Sequence, residues 1–263
     1  MTAPVTSRVR GRDGVEVAVH RWGAPGERPP VVLQHGFAAD SIRNWQDSGI
    51  VAALLADGRE VVAVDARGHG DSDKPHDPER YGERAMAADL SAVADVLDLD
   101  RFDLAGYSMG GIVSLVLAGT DQRVRRLVVG GIGAAVVERG GLDGRAVRTA
   151  ALVTALETDD PASITDPTAA AFRAFADSTG ADRLALAAHV RAINTEPLPL
   201  GEIAAPTLVV AGEADPLAVR PEVLSEAISG ARLVTVPGDH LGAVRTPEFT
   251  AALVGFLGDD GDS

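Results

Sequence analysis

Leu104-Ala105-Gly106-Tyr107-Ser108-Met109-Gly110-Gly111 carries the spacing G-x-S-x-G. A β-type run from Arg101 to Ala105 precedes it, and a helical run from Ile112 to Ala118 follows. In that context the motif predicts a sharp strand-to-helix turn that holds a serine in strained geometry, its hydroxyl exposed above a sheet. Glycine is needed at 106 and 110 because a side chain at either place would strike the closely spaced backbone of the turn. A helix starting at Ser108 directs its positive end and its free N–H groups at the reacting centre. Ser108 is therefore the candidate nucleophile. A Gly/Ser-rich turn without chemistry is the bland alternative, and the flanking strand and helix weigh against it.

The rest of the chain supplies the scaffold. Ser7–Arg10 and Val15–Trp22 alternate as paired strands do, around an Arg-Asp-Gly turn. Val31–His35 and Val61–Asp65 are short, apolar and β-branched, as strands covered on both faces of a parallel sheet are. Ile42–Leu55, Ala85–Leu97 and Ile112–Ala118 have helical spacing, and further strands are predicted at Val124–Gly130, Thr207–Ala211 and Leu233–Val236. Strands alternating with helices imply an α/β fold with a mostly parallel central sheet flanked by helices. The alternation stops in residues 134–200, where only helical patches occur (Arg145–Glu157, Thr168–Ser178, Ala181–Ile193), punctuated by Pro161, Pro167, Pro197 and Pro199. Residues 1–133 and 201–263 are thus read as one core, and residues 134–200 as a small helical cap over the carboxyl ends of the strands, where open α/β sheets bind ligands.

Composition narrows the function classes. A net charge of −14 disfavours nucleic acid and anionic membrane surfaces as partners. With no cysteine there is no disulfide, thiolate metal site or cysteine nucleophile. The amino terminus shows no apolar signal-peptide core, and no apolar run is long enough to span a bilayer, so a cytoplasmic location is expected.

A serine hydroxyl needs a base, and the base needs an orienting acid. Of the six histidines, only His189 and His240 follow Ser108. His189 sits beside Ala187 and Ala188 in a cap helix, where a surface or lid role is expected. His240 follows the last strand in Pro237-Gly238-Asp239-His240, on a loop at the carboxyl end of the sheet, and is the candidate base. The strand Thr207–Ala211 leads into Gly212-Glu213-Ala214-Asp215-Pro216, making Asp215 the candidate acid, with Glu213 and Asp239 as competitors. Gly131–Val137 holds no acid, which removes a placement one strand earlier. Two backbone donors are required for an oxyanion: the N–H of Met109, and the N–H of Phe37 in the loop His35-Gly36-Phe37-Ala38.

These pieces, with Asp65-Ala66-Arg67-Gly68-His69-Gly70-Asp71-Ser72, resemble the α/β-hydrolases from Val15 to Leu257. Phe37 with Ser108-Met109 is most similar to small esterases that include cofactor-free haloperoxidases and perhydrolases, and to enol-lactone hydrolases. The resemblance implies a structural role for the Asp65–Ser72 turn, with no chemistry for Arg67, His69 or Asp71. A serine rather than an aspartate nucleophile disfavours the dehalogenase and epoxide-hydrolase branches. Phe37-Ala38-Ala39-Asp40, in place of glycine-proline-glycine, disfavours C–C bond hydrolases. The expectation is a serine hydrolase that cleaves a small ester or lactone through an acyl-enzyme, without metal or organic cofactor. Trp45, Tyr107, Phe172 and Phe175 are candidates for lining its pocket. A slow-turnover ligand receptor, and a perhydrolase or C–C bond hydrolase on the same scaffold, are the alternatives. The oligomeric state is not legible.

Overall fold

The computed structural model describes residues 3–141 and 147–259. Eight strands form one sheet: β1 (Val5–Arg10), β2 (Glu16–Trp22), β3 (Val31–Gln34), β4 (Val61–Val64), β5 (Phe102–Tyr107), β6 (Val124–Gly130), β7 (Thr207–Gly212) and β8 (Arg232–Val236). Their order is β1-β2-β4-β3-β5-β6-β7-β8. β2 runs antiparallel to both its neighbours, and every other pairing is parallel.

Alternation along the central strands divides the apolar side chains between two layers. Val32, Val62, Val64, Phe102 and Leu104 face α2 (Glu83–Val96) and α3 (Met109–Ala118), meeting Met86, Leu90, Val93 and Val113. Val31, Leu33, Val61, Ala63 and Ala105 face α1 (Ile50–Ala56) and α9 (Pro247–Gly258), meeting Ile50, Leu54, Phe249 and Leu253. The α/β fold with a mostly parallel sheet flanked by helices is therefore as expected. No helix among the described residues is long and apolar enough to cross a membrane.

The helix expected at Ile42–Leu55 is instead two pieces. A π-helical turn covers Ile42–Gln46, and α1 begins only after Gly49, which adopts φ 88°. That left-handed residue is the N-cap of α1 and re-aims the chain between the two pieces. Between β6 and β7 stand α4 (Ala134–Arg139), α5 (Thr149–Glu157), α6 (Pro167–Thr179) and α7 (Arg183–Arg191). Residues 145 and 146, the start of the expected Arg145–Glu157 helix, lie outside the described residues. Aspartates begin two of these helices: Asp166 accepts from Ala169 N–H, and Asp182 from the N–H groups of Leu184 and Ala185. Their apolar faces form a third cluster, with Leu152, Leu156, Ala176, Leu186 and Val190 gathered around Ala38 in the loop after β3. Phe37, Phe172 and Phe175 pack against that cluster. α8 (Pro221–Glu226) completes the elements.

Candidate active site

β5 ends at Tyr107 and α3 begins at Met109, so Ser108 occupies the turn between them, with φ 54° and ψ −118°. A non-glycine residue with positive φ is strained and persists only where its surroundings hold it. Those surroundings are tight. A Cβ on Gly106 would strike the Gly110 carbonyl and Ser114, and one on Gly110 would strike the carbonyls of Gln34 and His35. Glycine at both places lets α3 approach β5 and the end of β3, and Ser108 N–H is anchored on the Gly130 carbonyl at 2.8 Å.

Three residues far apart in sequence meet at the carboxyl edge of the sheet. Ser108 Oγ lies 3.0 Å from His240 Nε2. His240 Nδ1 lies 3.0 and 2.9 Å from the two carboxylate oxygens of Asp215. A carboxylate only accepts, so Nδ1 carries the proton and Nε2 is free to accept from the serine. The Asp215 side chain is fully buried, and its Oδ1 also accepts from Leu217 N–H at 2.8 Å. Asp239 takes no part in this line. Its Oδ1 accepts from the N–H groups of Leu241 and Gly242 and shapes the loop that carries His240. Tyr107 holds the same loop from below, its hydroxyl donating to the His240 carbonyl at 2.7 Å. Burial, with Asp215 and Asp239 nearby, pushes the Tyr107 phenol above its ordinary range, so it stays a neutral donor.

Beside Ser108, the N–H groups of Phe37 and Met109 are taken up by no other hydrogen bond among the described residues. Gly36 lies against the Tyr107 carbonyl and Ser108 Cβ, which sets the loop after β3 close to the elbow. Asn44, on the π-helical turn, fixes that loop by accepting from Gly36 N–H at 3.0 Å. Nothing in the sequence singles out Asn44 for this role, which it plays from a π-helical turn where an α-helix was predicted.

Two cavities, an outer and an inner, share Ser108 in their lining. The outer, about 180 Å³, is lined by His240, Tyr107, Phe175, Asn44 and Arg245 among others. The inner, about 50 Å³, is lined by Met109, Ile132, Val136, Leu152 and His189 among others. Phe37 and Phe172 line both. Of the four pocket candidates, Tyr107, Phe172 and Phe175 thus lie at the site and Trp45 does not. Trp45 is fully buried in the layer beneath α1 and α9, because the π-helical turn points it inward.

Of the surface or lid role expected of His189, the surface placement is corrected. It is 2% exposed, in a helix that packs against α5, and burial pushes its pKa down to about 4. Burial, with His35 and His189 as neighbours, likewise holds His69 well below the ordinary imidazole value. Away from Ser108, ligand atoms of His20, Asp65 and Asp71 lie within 4.8 Å of one another. Asp65 already accepts from His20 and from the N–H groups of Ser41 and Asp71, so this cluster braces the Asp65–Ser72 turn.

Residues 29–137 match the family model described as alpha/beta hydrolase fold. A curated 2-hydroxy-6-oxo-2,4-heptadienoate hydrolase from Pseudomonas putida is 39% identical over 132 residues, 49% of this chain and 46% of that protein. The chain thus spans about half the length of the curated relatives it matches. Solved structures match end to end. A hydrolase from Pseudomonas aeruginosa PA01 superposes with a TM-score of 0.79 at 30% identity, covering 98% of this chain and 100% of its own. An esterase from Exiguobacterium antarcticum superposes with a TM-score of 0.78 at 25% identity, covering 96% and 99%. A turn with a strained serine, an eight-stranded sheet and a full-length match at 30% identity agree on one conclusion: the chain belongs to the α/β-hydrolase fold family.

Proposed function

We propose that the protein is a serine hydrolase that cleaves a small carboxylic ester or lactone through an acyl-enzyme. One observation carries this reading. A continuous hydrogen-bonded line, Asp215–His240–Ser108 at 2.9 and 3.0 Å, ends beside two uncommitted backbone N–H groups. Ser108 Oγ attacks the substrate carbonyl carbon while His240 Nε2 takes its proton, and buried Asp215 stabilises the imidazolium. The carbonyl oxygen gains the negative charge and is met by the N–H groups of Phe37 and Met109. His240 then returns the proton to the leaving oxygen as the C–O bond breaks. Water, deprotonated by the same nitrogen, releases the acid and restores Ser108.

Proton delivery also assigns the two cavities. The leaving oxygen must lie within reach of His240 Nε2, and His240 lines the outer cavity but not the inner one. The alcohol portion therefore belongs outside and the acyl portion inside. Residues 134–200 act as a cap, since Leu152, Phe172 and His189 reach the inner cavity from its helices. The esterase among the full-length structural matches favours ester substrates. A second reading follows from the Pseudomonas putida relative, in which the same triad would act on a keto acid; simple esters and lactones would then be poor substrates.

The test is labelling with a fluorophosphonate, followed by turnover of p-nitrophenyl esters and lactones. The probe is expected on Ser108, located by peptide mass spectrometry. Ser108→Ala should remain folded and lose several orders of magnitude in turnover. Near-wild-type hydrolysis by that variant, with contaminating esterase excluded, overturns the reading.

A further inference from the structure

The inner cavity is lined by apolar side chains and glycines, with three exceptions: Ser108, Glu83 and His189. Ser108 is the attacking group. Glu83 is already engaged, its Oε2 accepting from Asn194 N–H at 2.9 Å. His189 is not. Its ring is packed against Phe37, His69 and Tyr81 at centroid distances of 5.6, 6.0 and 5.8 Å, so its orientation is held. Yet neither ring nitrogen has a hydrogen-bond partner among the described residues: Nδ1 is sealed within the fold, and Nε2, which is not sealed, is the nitrogen that can meet a molecule in the cavity. A buried polar atom without a partner destabilises a fold, and an apolar side chain of similar size would avoid that cost. A ligand oxygen at Nε2 would give the ring a partner from inside the cavity.

The chemistry of that group follows from the ring and its surroundings. Burial keeps His189 neutral, so it offers one N–H donor and one bare nitrogen. No lysine or arginine lines the inner cavity, and Glu83 does. A carboxylate entering there would therefore be desolvated without a cation to receive it. A carbonyl or hydroxyl oxygen meets the same ring at no charge cost. A volume of about 50 Å³ confines this to a short chain.

We propose that the acyl group cleaved at Ser108 carries a neutral hydrogen-bonding oxygen, keto or hydroxyl, a few carbons from the scissile carbonyl, and that His189 receives it. This rests on the serine-hydrolase reading and adds the substrate class.

The test compares p-nitrophenyl esters of identical leaving group whose acyl chains are isosteric. Levulinate is set against isocaproate, and β-hydroxybutyrate against isovalerate. Wild-type protein should favour at least one oxygenated ester by about tenfold or more in kcat/KM, because a site built to hydrogen-bond a substituent rejects its alkyl analogue. His189→Leu should abolish that preference, and His189→Gln, which keeps an N–H donor, should retain part of it. Fluorophosphonate labelling of Ser108 and thermal melting are followed in each variant. Should His189→Leu fail to fold, the wild-type comparison and His189→Gln still decide. Alkyl esters that match or exceed both oxygenated partners overturn the proposal, as does a preference that survives His189→Leu, and persistent labelling then leaves the hydrolase reading standing. Failure of wild-type Ser108 to label overturns the hydrolase reading itself, and the proposal with it.

Discussion

Two carboxylates lie close to His240, Asp215 in space and Asp239 next to it in the chain, and their hydrogen bonds separate their roles. Asp215 faces Nδ1 with both oxygens, whereas Asp239 spends Oδ1 on the backbone of Leu241 and Gly242. Asp215→Asn can present an N–H to Nδ1 and so favour the wrong tautomer, which should cost about 10³–10⁴ in kcat. Asp239→Asn keeps an accepting oxygen for its turn and should cost far less. Steady-state kinetics on one ester decides, and the reverse order would transfer the orienting role to Asp239. The three residues of this line were legible because each sits where a predicted strand ends, in the chain order Ser, Asp, His. His189 was not. Its neighbours Ala187 and Ala188 say that the helix is apolar there, but not which cavity it faces. Trp45 misled for the same reason, since an aromatic near an oxyanion loop fits a pocket or a core equally well until the helical phase is known.

The elements show the same division. Central strands were recognisable from runs such as Val61-Val62-Ala63-Val64, because a strand covered on both faces has no polar positions to confuse its limits. Helices depended on punctuation. α6 and α7 have an aspartate cap and were placed within two residues, while α4, which follows Gly131-Ile132-Gly133 without a side-chain cap, was not anticipated. The π-helical turn at Ile42–Gln46 and the break at Gly49 were missed too, although that turn carries Asn44, which fixes the loop after β3. α6 offers the clearest test of the cap. Phe172 lines both cavities and meets Phe37 edge-on at 6.0 Å, whereas Phe175 lines only the outer. Phe172→Ala should enlarge the inner cavity and move the preferred acyl chain to greater length. Phe175→Ala should alter the preference among alcohols with the acyl group held constant. Both are read as kcat/KM across two ester series, with Ser108 still labelled. Loss of melting temperature without any change in selectivity would make these side chains core, not cap.

For the whole molecule, acidification poses the sharpest physical question, because imidazoles and carboxylates respond in opposite ways. Burial lowers the pKa of His35, His69 and His189. An unfolded chain binds a proton at His189 near 6.5, while the folded protein does so only at about 4. Across that window the unfolded state holds more protons, so stability falls as the pH drops, by roughly 3 kcal/mol for this residue at about 1.4 kcal/mol per unit. Asp65 behaves otherwise. Burial would raise its pKa, but the His20 hydrogen bond and backbone donors hold it below the ordinary carboxylate range. Its contribution is therefore intact above about pH 4 and is lost only below that. His20 is raised despite burial, by the same Asp65 contact, so its contribution is full at acid pH and is lost as the pH rises through its folded value. Partial neutralisation of the −14 charge would also relieve repulsion on acidification. These latter effects are shared by the wild type and His189→Gln, and cancel when the two are compared. Urea unfolding between about pH 7 and about pH 4.5 should show the wild type losing stability more steeply than His189→Gln. Parallel curves would mean that His189 takes up its proton in the folded protein without penalty, and that burial does not keep it neutral.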